Sequence, residues 1–170
     1  KTALKPMGVS TIILAGENRW DDPADFKKMV PYAGDMDSQF DFPFRSVLAN
    51  LLGGKTNDDA DLAAYVNRVQ TAAAVAGDGG NANHFFERFL SNHDLTRPAT
   101  QFSTLMPNDA ALKLAITAVL TIPGMPVIYY GEEFGKKGQR DRYVGNEPYD
   151  HDEFIREPMS WYKALTFTGD

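Results

Sequence analysis

Four short apolar runs, set between stretches with helical spacing, constrain this chain more than any other feature. The runs are VSTIILAG (9–16), MDSQFDF (36–42), HFFERFLS (84–91) and PVIYY (126–130). The first is apolar and β-branched, the pattern of a strand buried on both faces of a parallel sheet. Between the runs the period changes. Asp22 caps and Pro23 opens a short helix with Phe26, Met29 and Val30 on its apolar side. Pro43 opens the next, whose Phe44, Val47, Leu48, Leu51 and Leu52 recur at helical spacing until Gly53-Gly54 stops it. Leu62, Val66, Val69, Ala73 and Ala76 mark a helix over 58–76, and GDGGNAN (77–83) reads as a loop. The helix expected over 109–122 is apolar nearly all round, with Lys113, Thr117 and Thr121 as a thin polar stripe, so it is expected to be mostly buried. Pro123 and Gly124 end it. After GEEFG the chain turns polar and irregular, with no helix to cover the last strand.

Strands alternating with helices mean βαβ units and a parallel sheet, so the fold class is α/β. Two architectures remain open on this pattern: a small open doubly wound sheet, or part of a (β/α)8 barrel. A whole barrel takes ~250 residues. A chain of 170 residues with four strands would be about half of one.

Composition narrows the partners. With 17 basic and 23 acidic side chains the net charge is −6, and 43% of the residues are hydrophobic, as in an ordinary globular domain. No basic patch offers itself to phosphates, so a nucleic-acid partner is not expected. No apolar run reaches the roughly 18 residues of a membrane span. The opening KTALKPMGVSTIILAG runs into polar sequence and not into a small-residue cleavage site, so it does not read as a signal peptide. Lys1 stands where an initiator Met would, which suggests processing or a piece of a longer chain. Cysteine is absent, so disulfides, thiolate chemistry and Cys-based zinc sites are not expected, and the redox compartment is unreadable.

Parallel α/β sheets place ligands at the carboxyl ends of their strands. Three strand ends here carry chemistry: Gly16-Glu17-Asn18-Arg19-Trp20, Ser91-Asn92-His93-Asp94 and Tyr129-Tyr130-Gly131-Glu132-Glu133. Glu17 follows an apolar strand and precedes Trp20 by three residues. A carboxyl held against apolar neighbours resists ionisation, which is what a general acid near neutral pH requires. Asp94 offers a second carboxylate, and two carboxylates on one sheet face are the equipment of glycoside hydrolysis. Taken singly, Glu17 reads more readily as an ordinary solvated strand-end residue or a helix N-terminal anion, and Asn92-His93-Asp94 as a turn that satisfies its own backbone. Glu132 and Glu133 read as serving the fold or the loop. GDMDSQFD has the Asp spacing of a calcium loop but Phe40 where glycine is required. GDGGN lacks the lysine of a phosphate loop, His84, His93 and His151 lack metal-ligand spacing, and no G-x-S-x-G elbow is present.

In order along the chain, ILAGENRW, MDSQFDFPF, FLSNHDLTR, TIPGMPVIYYGEEFG and DEFIREPMSW resemble the α-amylase family of retaining glycoside hydrolases. The closing IREPMSW resembles its bacterial α-amylase and oligosaccharide-hydrolase branches. The resemblance implies a partial catalytic (β/α)8 domain over residues 1–170, the second half of the barrel from strand five to strand eight, with the N-terminal half outside this chain. It implies that Glu17 is the general acid/base and Asp94 the transition-state-stabilising aspartate. It implies that His93 binds a sugar hydroxyl, Arg97 supports substrate binding and Trp20 lines a subsite. The family's nucleophile, an Asp at the end of the fourth strand, and the Asn-His segment near the third strand that often binds calcium would both lie upstream. No cofactor or metal site is therefore read from the residues present. The implied partners are an α-glucan, such as starch or a maltooligosaccharide, and the upstream half of the same domain. Transglycosylation or isomerisation by the same machinery is one alternative. An inactive carbohydrate-binding fragment, gripping glucan through Trp20, Tyr130 and His93, is another. Absence of cysteine and of glycosylation sequons agrees with an extracellular location, which the resemblance favours over a cytoplasmic one.

Overall fold

The computed structural model describes residues 13–55, 61–75, 85–103, 105, 109–144, 147–150 and 152–159. Strands β1 (Ala15–Gly16), β2 (Ser38–Phe40), β3 (Phe86–Arg88) and β4 (Met125–Pro126) form one sheet in the order β1-β2-β3-β4, every pair parallel. Helices fall between them: α1 (Phe26–Met29), α2 (Phe42–Leu52), α3 (Leu62–Val75), a short α4 (Pro98–Gln101) and α5 (Ala110–Thr121), all as expected except α4, which the sequence pattern does not place. No helix among the described residues is long and apolar enough to cross a membrane.

The ladders are shorter than the apolar runs. Of the first run, residues 9–12 lie outside the described residues; of the rest, Ala15 and Gly16 pair with Ser38 and Gln39. The expectation of burial on both faces needs correction here, since Ile13 is 72% exposed. β1 stands at the edge of the sheet, with β2 its one neighbour among the described residues.

Period-two alternation sorts the side chains of β3. Phe86 and Arg88 meet the helices: the Arg88 guanidinium lies 4.9 Å from the Phe44 ring centroid and 5.5 Å from that of Phe86. Glu87 and the following Phe89 meet residues of β2, Glu87 accepting a hydrogen bond from Ser38 and Phe89 packing edge-on to Phe40 at 5.2 Å. The main core therefore lies between sheet and helices, built on Phe26, Met29, Phe44, Leu48, Tyr65, Val69, Phe85, Phe86, Phe102 and Val119. A smaller cluster of Phe42, Phe89 and Leu95, joined by Phe40 and Val127, packs separately.

The start of α2 carries a buried ionic network. Asp41 caps the helix, its Oδ1 accepting from the Phe44 N–H at 2.9 Å and from the Tyr65 hydroxyl at 2.6 Å. Its Oδ2 accepts from Arg88 Nη1, and Arg88 Nε donates to the Pro123 carbonyl at 3.0 Å. Burial pushes the Arg88 guanidinium down to about 9, still well above neutral pH, so Arg88 remains charged. The same burial raises the Tyr65 hydroxyl.

Helix α5 also differs from expectation. Ala111, Ala115, Ala118 and Val119 are buried, but Leu114 and Leu120 are 50% and 57% exposed. One face meets the core, and Leu114 and Leu120 lie on the exposed side. Thr117 and Thr121 return their hydroxyls to the carbonyls four residues earlier.

At Gly124, which follows α5, φ is +152°, and an added Cβ would lie 2.5 Å from Arg88 Cγ and 2.9 Å from the Phe86 carbonyl oxygen. Gly124→Ala is expected to destabilise the fold by on the order of 1–3 kcal/mol, because it strains the backbone and displaces Arg88 from its pair. Urea unfolding midpoints would show it; an unchanged midpoint would contradict it.

The sequence past GEEFG is not wholly irregular. β5 (Asp141–Val144) and β6 (Glu147–Asp150) pair antiparallel, Asp141 opposite Asp150 and Val144 opposite Glu147. Their polar composition hides the signal. Yet Gly145-Asn146 between them is a dipeptide that two-residue hairpins favour.

Candidate active site at the strand ends

Beyond the carboxyl end of β3 the chain turns through Ser91, Asn92, His93 and Asp94, and other segments reach in to hold this turn. Asn92 is the hub. Its Oδ1 accepts the Asp94 N–H at 2.9 Å, and its Nδ2 donates to Glu17 Oε1 at 3.2 Å. One amide thus ties the turn after β3 to the carboxylate after β1. His93 is exposed, with Nε2 3.5 Å from Asp94 Oδ2. Arg156 approaches from beyond a 3-10 turn at Asp152–Phe154. It donates through Nε to the His93 carbonyl at 2.8 Å and through Nη2 to Asp94 Oδ1 at 2.7 Å. The same Nη2 lies 2.8 Å from Asp152 Oδ2. Ser91 is held from beneath, its hydroxyl donating to Glu132 Oε1 at 2.5 Å.

The structure gathers Glu17, His93 and Asp94 into one hydrogen-bonded cluster; Arg97 and Trp20 stand outside it. Glu17 is exposed, which corrects the expectation of an apolar enclosure. Trp20, the aromatic expected beside it, is half-buried against the main core with its ring 6.2 Å from Tyr32. Arg97 is fully buried. It donates to the Tyr130 carbonyl at 2.6 Å and the Ile155 carbonyl at 2.8 Å, with its guanidinium over the Tyr129 and Tyr130 rings. Arg97 binds the chain's own loops. Tyr130 is likewise occupied, its ring facing Arg97 and Lys136 and its hydroxyl donating to the Glu157 carbonyl. His84, His151 and the GDGGNAN loop lie outside the described residues.

Two residues had no role assigned from sequence. Asn92 and Arg156 belong to the quoted segments, but what each touches is decided by partners 75 and 62 residues away. No local pattern carries that information.

A pocket of about 400 Å³ opens beside Asp94, lined by Arg19, Arg45, Thr96, Thr100, Gln101 and Gln139 among others, with Leu95 its one apolar wall. Such a lining suits a ligand rich in hydroxyl groups. The calcium that the resemblance assigns to an upstream segment has no ligand set among the described residues, where no three His, Asp or Glu side chains are placed to hold a metal ion.

Two buried acids underlie the site. Burial pushes the Glu87 carboxyl up, and the negative charge of Glu17 adds to this, against the opposing Ser38 hydrogen bond. Glu132 is held up to about 7, first by burial, with the Ser91 and Tyr129 hydrogen bonds and Arg97 opposing. A carboxyl held above its ordinary value favours folding when protonated, and that contribution fades as pH rises through 7. Glu132→Gln is therefore expected to flatten the loss of stability between pH 5 and pH 8 by about 2 kcal/mol. Urea unfolding across that range measures it; identical pH slopes for variant and parent would contradict it.

The alpha amylase catalytic-domain model matches residues 2–169. The chain belongs to the α-amylase family. "Alpha-amylase 3" of Dictyoglomus thermophilum is 31% identical over 150 residues, 88% of this chain and 26% of that protein. A 4-alpha-glucanotransferase of Thermotoga neapolitana is 32% identical over 81 residues, 48% of this chain and 16% of that protein. Among solved structures, an α-amylase from H. orenii superposes with a TM-score of 0.67 at 26% identity, covering 93% of this chain and 28% of that one. The chain thus spans about a quarter of the first of these relatives. The four-stranded parallel sheet with intervening helices is part of the (β/α)8 barrel architecture of the family.

Proposed function

We propose that this α-amylase family chain is strands five to eight of a catalytic barrel and carries the acid/base side of an α-glucan-cleaving site. The observation that carries this is the Asn92 amide, which joins Glu17 to the Asp94 turn at the carboxyl ends of a parallel sheet. Glu17 protonates the glycosidic oxygen as the C–O bond breaks, while an upstream aspartate attacks the anomeric carbon. Asp94 and His93 hold ring hydroxyls more tightly in the oxocarbenium-like transition state than in the ground state. Glu17 then takes a proton from water, which displaces the enzyme carboxylate and restores the original α configuration. In such retaining enzymes the acid/base and the nucleophile stand about 5–5.5 Å apart. The upstream half of the barrel must therefore bring its aspartate against Glu17.

Transfer to a second sugar in place of water is the other reading, and the similarity to a glucanotransferase favours keeping it. Maltooligosaccharide digestion by the intact enzyme tests both. Hydrolysis gives shorter products whose new reducing ends appear first as the α anomer by proton NMR. Transfer gives longer chains without new reducing ends. A β anomer as first product, or no turnover of any α-glucan, would overturn the proposal.

A further inference from the structure

Glu132 is 2% exposed, and its two oxygens are each spoken for. Oε1 accepts from Ser91 Oγ at 2.5 Å and Oε2 from the Tyr129 N–H at 3.3 Å. The proposed reaction gives this residue no role. Ser91 is itself 1% exposed and immediately precedes Asn92, whose amide holds both Glu17 and the Asp94 N–H. The Asp94 side of the turn is fixed separately by Arg156. The near end of the turn is thus tied by the buried Ser91 hydrogen bond from β3's exit to the 3-10 turn at Glu132–Phe134, with Arg45 Nε holding the preceding Leu90 carbonyl at 2.7 Å.

We propose that Glu132 is a positioning residue for the proposed reaction, fixing through Ser91 the turn that presents Asn92, His93 and Asp94. This rests on the functional reading above. Glu132 faces Ser91 from the turn after β3 and the Tyr129 amide from its own segment. The cations whose charge reaches it are Arg97, ahead of α4, and Arg45 on α2. Neither is close enough to form an ion pair with it among the described residues, so ionisation leaves a buried carboxylate that draws in water or a neighbouring cation at the expense of the Ser91 geometry. The glutamine side chain keeps the shape and the acceptor for Ser91 without being able to ionise.

The test uses the intact enzyme carrying this sequence, with Glu132→Gln, Glu132→Ala and Ser91→Ala. Glu132→Ala and Ser91→Ala are expected to lower kcat by roughly tenfold or more with a smaller change in KM, as for a group misplaced in the transition state. Glu132→Gln is expected to restore kcat at pH 6 to within about threefold of the parent and to lack the parent's inflection near pH 7. A second readout needs no turnover. The Asn92 side-chain amide 15N signal should carry a component titrating near pH 7 in the parent and lose it in Glu132→Gln. Absence of that component in the parent, or its survival in Glu132→Gln, would overturn the proposal even in an enzyme with no α-glucan activity. In an active enzyme, full kcat in Glu132→Ala would do the same.

Discussion

Glu17→Gln in the intact enzyme is expected to lower kcat on maltooligosaccharides by on the order of 10²–10⁴-fold, the worth of a positioned general acid and base. The substitution isolates the proton. Glutamine has nearly the shape of glutamate, and its carbonyl oxygen can still accept the Asn92 N–H that Glu17 Oε1 accepts at 3.2 Å. Because Glu17 is exposed, no buried packing is disturbed. Binding of a maltooligosaccharide should therefore change little, and the loss should fall on kcat. The bond-breaking step of an α-glucosyl fluoride, whose leaving group needs no proton, should suffer much less. Equal loss on both substrates, or retention of more than about a tenth of parental activity, would remove Glu17 from the acid/base role.

The largest stability effect is expected at Asp41. Asp41→Ala strips Arg88 of its counter-ion, the Tyr65 hydroxyl of its acceptor and α2 of its cap at one stroke. Asp41 and Arg88 are 0% and 1% exposed in their side chains, so the guanidinium left behind is a charge buried without a carboxylate. Breaking a buried pair in this way costs about 3–5 kcal/mol, more than either partner's net contribution to an intact pair. Arg88→Met combined with Asp41→Asn should recover part of that loss, since the buried charge is then gone while the amide can still cap α2 and accept from Tyr65. Urea denaturation of both variants reads the difference. A single substitution no more harmful than the double one would show that the charge pair does not carry this part of the fold.

What could be read in the sequence follows from how local each signal is. Strand-helix alternation depends on side-chain period within a few residues, so the parallel α/β sheet and the positions of α2, α3 and α5 were legible. Burial depends on what lies opposite, and so Ile13 and Leu114, apolar in sequence, are exposed in the structure. The β5–β6 hairpin was obscured because its strands carry Asp, Arg and Glu and lack an apolar alternation. At the site, Glu17, His93 and Asp94 stand out by their place after apolar runs. Arg97 shows the limit of such inference: an arginine three residues past Asp94 turns inward to the carbonyls of Tyr130 and Ile155, contacts that no spacing rule encodes. Arg156 shows the converse, reaching Asp94 from 62 residues away.

The most direct test is the crystal structure of the intact Glu17→Gln enzyme with a maltooligosaccharide bound. The expected density places a glycosidic oxygen within hydrogen-bond reach of residue 17 and ring hydroxyls on His93 and Asp94, with Arg97 still buried against Tyr130 and Ile155. A sugar chain seated away from the Asn92 turn, with residue 17 and Asp94 untouched, would contradict the assignment of this strand-end cluster as the active site.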